Sequence, residues 1–132
     1  MSKRIIPLFV LKRAVIICTL SKHPNHKIGA VIFHRKGIIS TGFNYPERSL
    51  KRFTRFFMVH PTSVHAEVAA IINSRQNIKG RSIFVLRLNK KGEMRLAKPC
   101  NYCMGYINFV GLKSIYFSTN NQTIERIFLN GR

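Results

Sequence analysis

The sequence predicts an α/β protein: a three-layer α-β-α arrangement around a central mixed sheet of four to five strands. Runs rich in β-branched and aromatic residues alternate with helix-like segments in the second half of the chain, which implies crossover connections and helices that cover the sheet. The chain has 132 residues, of which 45% are hydrophobic. This length predicts one domain over residues 1–132 with a single core.

The first half is predicted to form a helix and then a hairpin. Apolar residues recur at helical spacing over residues 8–21, and the turn at residues 23–25 ends this segment. Two β-rich runs, 28–33 and 38–43, flank a short turn that contains Gly37, which predicts two antiparallel strands. Residues 48–57 interleave basic and aromatic side chains. That composition fits a loop that binds single-stranded nucleic acid and equally an amphipathic helix with its phenylalanines in the core.

The second half is predicted to alternate helices with strands. One helix starts at Thr62 or Ser63 and extends to residue 75, and another extends from residue 100 to about residue 110, where Gly111 stops it. Residues 82–86 and 114–118 are predicted strands, and a turn at 89–92 is followed by a returning segment. Residues 123–129 fit a helix or a strand. Functional loops are expected at the carboxyl ends of the strands.

Charge is the most unusual property of the composition. The chain has 23 Lys and Arg against four acids, a net charge of +19. Such a surface attracts polyanions, so nucleic acid is the first expected partner. A general basic bias unrelated to binding would give the same number, so charge alone leaves the function open.

Cysteine usage and hydropathy predict a soluble intracellular protein, without naming a compartment or any membrane partner. Three cysteines are an odd number, which argues against a secreted disulfide framework. Cys18 lies in an apolar run and is expected to be a buried, inert thiol. No stretch approaches the ~18 apolar residues of a membrane span, and Lys12 and Arg13 interrupt the apolar run near the start.

Two short motifs carry the chemistry. Cys100 and Cys103 are three residues apart, so on a helix they share one face, and a helix N-terminus favours their thiolates by lowering the thiol pKa. His65, expected in the first turn of the preceding helix, is a third ligand. Three protein ligands leave a position for water, as a hydrolytic zinc site requires. Glu67 is then a separate acid/base.

Three other interpretations of these residues remain open. Cys100 and Cys103 alone fit a redox pair, although that pair explains neither His65 nor Glu67. A closed structural zinc site would add His60 as the fourth ligand. The four residues could also be unrelated members of a packed core.

The pattern H-x-E followed by P-C-x-x-C resembles the signature of the zinc-dependent cytidine/deoxycytidylate deaminase superfamily. The similarity covers residues 28–118, and segments 28–32, 39–44, 63–68 and 99–105 are similar to the deoxycytidylate and tRNA adenosine deaminase branches. The resemblance implies a cytidine-deaminase-like fold with one Zn²⁺ per chain, held by His65, Cys100 and Cys103. It implies that Glu67 is the proton shuttle and that Asn44 and Ala66 contact substrate. Related enzymes often form homo-oligomers.

The substrate is less clearly indicated than the reaction. Residues 87–98 are an inserted basic hairpin by comparison with the family, and Lys98 precedes Pro99 where small or acidic residues are common. Predicted contacts to nucleic acid or phosphate are Arg48, Lys51, Arg52, Arg55 and Lys98. These charges favour a base in single-stranded DNA or RNA as the substrate, and the resemblance implies cytosine as that base, although no residue separates cytosine from adenine. The alternatives are free deoxycytidylate or cytidine, adenosine in tRNA, and a non-enzymatic nucleic-acid-binding domain with structural zinc.

Overall fold

The computed structural model describes residues 5–21, 26–44 and 65–129, which contain three helices and six strands. In chain order these are α1 (Leu8–Leu20), β1 (Lys27–His34), β2 (Gly37–Phe43), α2 (Ala66–Ser74), β3 (Ser82–Leu88), β4 (Met94–Arg95), α3 (Asn101–Phe109), β5 (Ser114–Ser118) and β6 (Ile124–Phe128). The strands form one mixed sheet in the order β2-β1-β3-β5-β6, with β4 beside β3. β3 and β5 are parallel, and the other pairs are antiparallel.

The predicted α/β class, the first helix and the first hairpin are confirmed. The sheet has six strands in the described part of the chain, one more than the upper prediction. The segment 123–129 contains the strand β6 (Ile124–Phe128) and no helix, and the segment after the turn at 89–92 adds the two-residue β4. The 23–25 turn, the basic and aromatic segment 48–57, and His60, Thr62 and Ser63 lie outside the described residues.

Strand alternation divides the core into two layers of side chains. In β1, Ala30 and Ile32 pack on the same side as α2 and α3, while Val31 and Phe33 pack on the same side as α1. β3 alternates in the same way between the two clusters. Helices therefore cover both faces of the sheet, as the three-layer prediction requires.

Helix α1 is held close to the sheet. Its Cys18 is fully buried, and the thiol donates a hydrogen bond to the Leu86 carbonyl at 3.2 Å. A Cβ at Gly29 would lie 3.0 Å from the Cys18 backbone nitrogen, so the helix backbone rests almost directly on the strand. α1 is the longest described helix, with 13 residues, and no described helix combines the length and apolar character of a membrane crossing.

Helix α2 approaches the other face even more closely, at Gly42 of β2. A Cβ at this position would lie 2.3 Å from the Ala70 nitrogen and 2.7 Å from the Ala66 carbonyl oxygen. Only glycine allows this contact without a shift of the backbone. The contact brings the start of α2 to the carboxyl end of β2.

The register gives the sheet two distinct edges. The carboxyl ends of β2, β3 and β5 lie together at one edge, which we call the site edge. The β1–β2 turn and the amino ends of β3 and β5 form the opposite one, the far edge. The segment that leads into α3 also reaches the site edge, because the Ala97 backbone N–H donates to the Ser118 carbonyl at 3.0 Å. Both chemical motifs thus lie where the sequence predicted functional loops.

Candidate metal centre

His65 is the N-cap of α2. Its backbone is extended, and its carbonyl accepts the first helical hydrogen bond from the Ala69 N–H at 3.0 Å. The imidazole does not cap the helix, so the side chain is directed elsewhere. The prediction that His65 lies in the first turn is therefore wrong by one position, and the helix begins at Ala66.

Cys100 is the N-cap of α3, and Cys103 lies in the first turn of that helix. The Met104 N–H donates to the Cys100 carbonyl at 2.8 Å, which fixes the start of the helix. The His65 Nδ1 atom lies 3.1 Å from the Cys103 Sγ and 3.6 Å from the Cys100 Sγ. All three donor atoms lie within 4.8 Å of one another. The structure thus brings together the three ligands that the sequence predicted.

Glu67 lies beside this cluster, in the first turn of α2. Its side chain is only 6% exposed, and burial raises the pKa of its carboxyl group to about 7. Hydrogen bonds from its own backbone N–H and from the Cys103 thiol act in the opposite direction, although more weakly. The carboxyl group is therefore close to the metal ligands and titrates near neutral pH.

The donor set fits a zinc ion. Burial raises the pKa of the Cys103 thiol, and the negative charges of Glu67 and Cys100 raise it further. Both effects oppose the lower thiol pKa that the sequence predicted from the position at a helix N-terminus. Cys103 therefore needs a cation to hold it as the thiolate. Two sulfurs and one imidazole nitrogen are ligands that zinc prefers. Cys103 is buried whereas Cys100 is exposed, so the cluster is open to solvent on one side.

Asn44 is buried at the end of β2, and its amide group joins three segments. Its Oδ1 accepts hydrogen bonds from the Ser21 hydroxyl at 2.5 Å and the Ile28 N–H at 3.1 Å. Its Nδ2 donates to the His26 carbonyl at 2.8 Å. These bonds connect the end of α1 to the start of β1. The structure thus shows Asn44 as a structural link, and its contact with substrate stays a prediction.

The other predicted binding residues divide into two groups. Ala66 is buried at the start of α2, where its carbonyl lies against Gly42. Lys98 is exposed two residues before Cys100. The remaining predicted contacts lie outside the described residues: Arg48, Lys51, Arg52 and Arg55.

The predicted 87–98 hairpin is present and is attached to the β5–β6 turn. Gln122 both accepts from the Met94 N–H at 2.9 Å and donates to the Met94 carbonyl at 3.0 Å. Asn120 accepts from the Leu96 N–H at 2.9 Å, and the Ser118 hydroxyl donates to the Arg95 carbonyl at 2.7 Å. These three polar side chains fix the chain that leads into Cys100. Sequence reasoning missed them, since their only signal is a turn-like composition.

Comparisons with known proteins agree with this geometry. The family described as "Cytidine and deoxycytidylate deaminase zinc-binding region" matches residues 8–119. A curated relative from Aliivibrio fischeri, "Uncharacterized deaminase in luxG 3'region", is 28% identical over 114 residues, which cover 78% of this chain and 65% of the relative. The chain therefore spans slightly less than two thirds of that relative's length.

Two solved structures establish the fold. The dCMP deaminase of cyanophage S-TIM5, in complex with dCMP and dUMP, gives a TM-score of 0.60 at 22% identity and covers 89% of this chain and 83% of its own. The cytidine deaminase of Burkholderia pseudomallei gives 0.61 at 13% identity and covers 93% of both chains. The family match includes both metal motifs and nearly every described element. The chain belongs to the cytidine and deoxycytidylate deaminase family.

Proposed function

We propose that this protein is a hydrolytic deaminase that removes the exocyclic amine of cytosine in single-stranded DNA or RNA. One observation carries the proposed reaction: His65, Cys100 and Cys103 converge within 4.8 Å, next to the buried carboxyl group of Glu67. A closed structural site would have no use for a buried carboxyl group that titrates near neutrality. A hydrolytic site uses such a group as its general acid and base.

The proposed mechanism assigns a role to each group. His65, Cys100 and Cys103 would hold the zinc ion, which supplies an activated water molecule when bound. Glu67 accepts a proton from the attacking water and transfers it to the ring nitrogen N3 of cytosine. Glu67 then takes the second proton from the oxygen now bonded to C4 and passes it to the amine, so that the C4–N bond breaks as the C4=O bond forms. The products are uracil and ammonia, and a carboxyl pKa of about 7 suits both directions of transfer.

The charge at the site edge supports a polynucleotide substrate. The hairpin after β3 carries Lys90 and Lys91, and Lys98 follows it towards Cys100; all three are exposed. The one acid of this hairpin, Glu93, is already paired with Arg95 at 3.4 Å and with Asn89 at 2.8 Å. The hairpin therefore offers a net positive surface for phosphates next to the proposed catalytic centre.

Free deoxycytidylate or cytidine is the second candidate substrate. It is favoured by the family match, whose description includes cytidine and deoxycytidylate, and by Lys98, which offers one cation for a single phosphate. Adenosine in tRNA has no described feature that favours it. The non-enzymatic alternative depends on His60, outside the described residues. Homo-oligomers and a single domain over residues 1–132 stay predictions.

A paired substitution tests the reaction. Glu67→Gln should keep about one zinc ion per chain and lower ammonia release by 10²- to 10⁴-fold, the range that general acid–base groups contribute. Glu125→Gln makes the same chemical change at an exposed side chain of β6 that is not part of the ligand cluster, and it should leave both unchanged. Loss of zinc from Glu67→Gln, or unchanged turnover, would contradict the proposed role.

A panel of substrates tests whether the protein acts on a polynucleotide. Deoxycytidylate, cytidine, single-stranded DNA, RNA and tRNA are compared at low and moderate salt, with uracil and inosine as the measured products. We expect turnover on the single strands, with a steep loss as salt rises. Turnover on free nucleotide alone, equal at both salt concentrations, would replace this substrate with the second candidate. Inosine formation from tRNA would show that the deaminated base is adenine rather than cytosine.

A further inference from the structure

A cationic cavity lies at the far edge of the sheet, opposite the metal ligands. It has a volume of about 700 Å³ and forms where β1 ends and where β3 and β5 begin. Four cations line it: Arg35, Lys36, Arg81 and Lys113. Among the described residues, no acidic side chain lines it. The eight-residue strand β1 separates this cavity from the site edge by roughly 25 Å at ~3.3 Å per residue.

Aromatic rings extend this cavity across the sheet. Phe33 and Tyr116 line it, with ring centroids 5.8 Å apart. Arg126 of β6 pairs with Tyr116, and its guanidinium lies 5.7 Å from the Tyr116 ring centroid and 4.1 Å from that of Phe128. The guanidinium also donates to the Tyr116 hydroxyl at 3.3 Å. Phe128 is nevertheless 65% exposed, so the ring and the cation above it form a fixed surface open to solvent.

The described acids all lie away from this surface. Glu125 pairs with Phe117, whose side chain belongs to the core on the other face of the sheet. Glu67 is buried at the metal centre, and Glu93 is in the β3–β4 turn at the site edge. Five cations and three aromatic rings therefore face solvent or the cavity without a described carboxylate to neutralise them.

We infer that this far-edge surface binds single-stranded nucleic acid, as a second site separate from the metal centre. Clustered cations bind phosphates, and exposed rings bind bases by stacking, which every base allows regardless of sequence. A simple anion would use the cations and not Phe128. A duplex would use them too, but its bases are already stacked on one another and cannot reach the ring.

Binding of an oligothymidylate, measured by fluorescence anisotropy across a salt series, tests the phosphate contacts. This probe contains no cytosine, so its binding is independent of the proposed deamination. Arg81→Gln/Lys113→Gln should weaken binding about ten-fold at low salt and should reduce the slope of log affinity against log salt by about 1.4, from ~0.7 per lost contact. The matched control Lys12→Gln/Arg13→Gln, on exposed positions of α1, should change affinity less than about two-fold.

Phe128→Ala tests the stacking contact. It should weaken oligothymidylate binding about ten-fold while leaving duplex binding unchanged, because only an unpaired base can stack on the ring. Equal losses of oligothymidylate affinity in the α1 control and in the far-edge double variant would contradict the proposed binding site. So would unchanged binding by Phe128→Ala together with full competition from inorganic polyphosphate, which would indicate a plain anion site. Thermal unfolding of each variant confirms that the fold is retained.

Discussion

The two edges of the sheet assemble their functional side chains in different ways. At the site edge, two helix N-termini supply all three donors, and two short motifs, 65–67 and 99–103, contain them together with Glu67. At the far edge, the cations and rings come from four separate parts of the chain: 33–36, 81, 113–116 and 126–128. The first kind of site can be recognised in a sequence, whereas the second exists only once the strand register is known.

The largest expected effect is the loss of one metal ligand. Cys103→Ala should lower bound zinc from about one ion per chain to near zero and should remove all measurable turnover, since two remaining donors cannot complete the site. Cys18→Ala removes a thiol from the opposite face of the sheet and should keep the zinc. Zinc is measured by elemental analysis after gel filtration. Equal zinc in both variants would show that the cluster at the site edge is not the metal centre.

The rates of thiol modification at Cys100 and Cys18 should differ by several orders of magnitude. Burial raises the pKa of the Cys18 thiol to about 12, so only one in ~10⁴ of these groups is ionised at pH 8. Cys100 is exposed. After chelator treatment, iodoacetamide should modify Cys100 within minutes and leave Cys18 unmodified until the chain unfolds. Peptide mass spectrometry measures both, and rapid modification of Cys18 would mean that α1 does not pack on the sheet as described.

Much of the site edge could be predicted from the sequence, and the reasons are local. Helix periodicity, β-branched runs and turn residues predicted most elements within a few positions, and the ligand types predicted the metal. The position of His65 was wrong by one residue because the cap depends on backbone geometry rather than composition. The Gln122 and Asn120 contacts to the hairpin were missed because they join segments more than 20 residues apart. The roles of 123–129 and of Arg126 depend on pairing with β5, which no short pattern encodes.

A glycine substitution tests how the site edge is held. Gly42→Ala places a methyl group within 2.3–2.8 Å of the α2 backbone, and helix and strand must separate to accept it. We expect a loss of about 3 kcal/mol in the free energy of unfolding, at the upper end for overpacking, with weaker zinc binding because His65 moves with α2. Gly37→Ala in the same strand meets nothing within 4 Å and should cost less than about 0.5 kcal/mol. Urea denaturation measures both, and equal stabilities would contradict the close contact.

The smallest effect that we expect on turnover comes from substitutions at the far edge. This effect tests whether the two edges of the sheet bind the same strand. If the far-edge surface holds the same strand whose cytosine reaches the metal centre, Arg81→Gln/Lys113→Gln should raise KM several-fold on a long single-stranded oligonucleotide. It should leave kcat on that substrate unchanged, because no group that touches the base is altered. On a trinucleotide, too short to span roughly 25 Å between the edges, kcat/KM should stay within about two-fold of the unsubstituted protein. Equal increases of KM on the long and the short substrate would mean that these cations act on the site edge directly, and the separation of the two regions would be wrong.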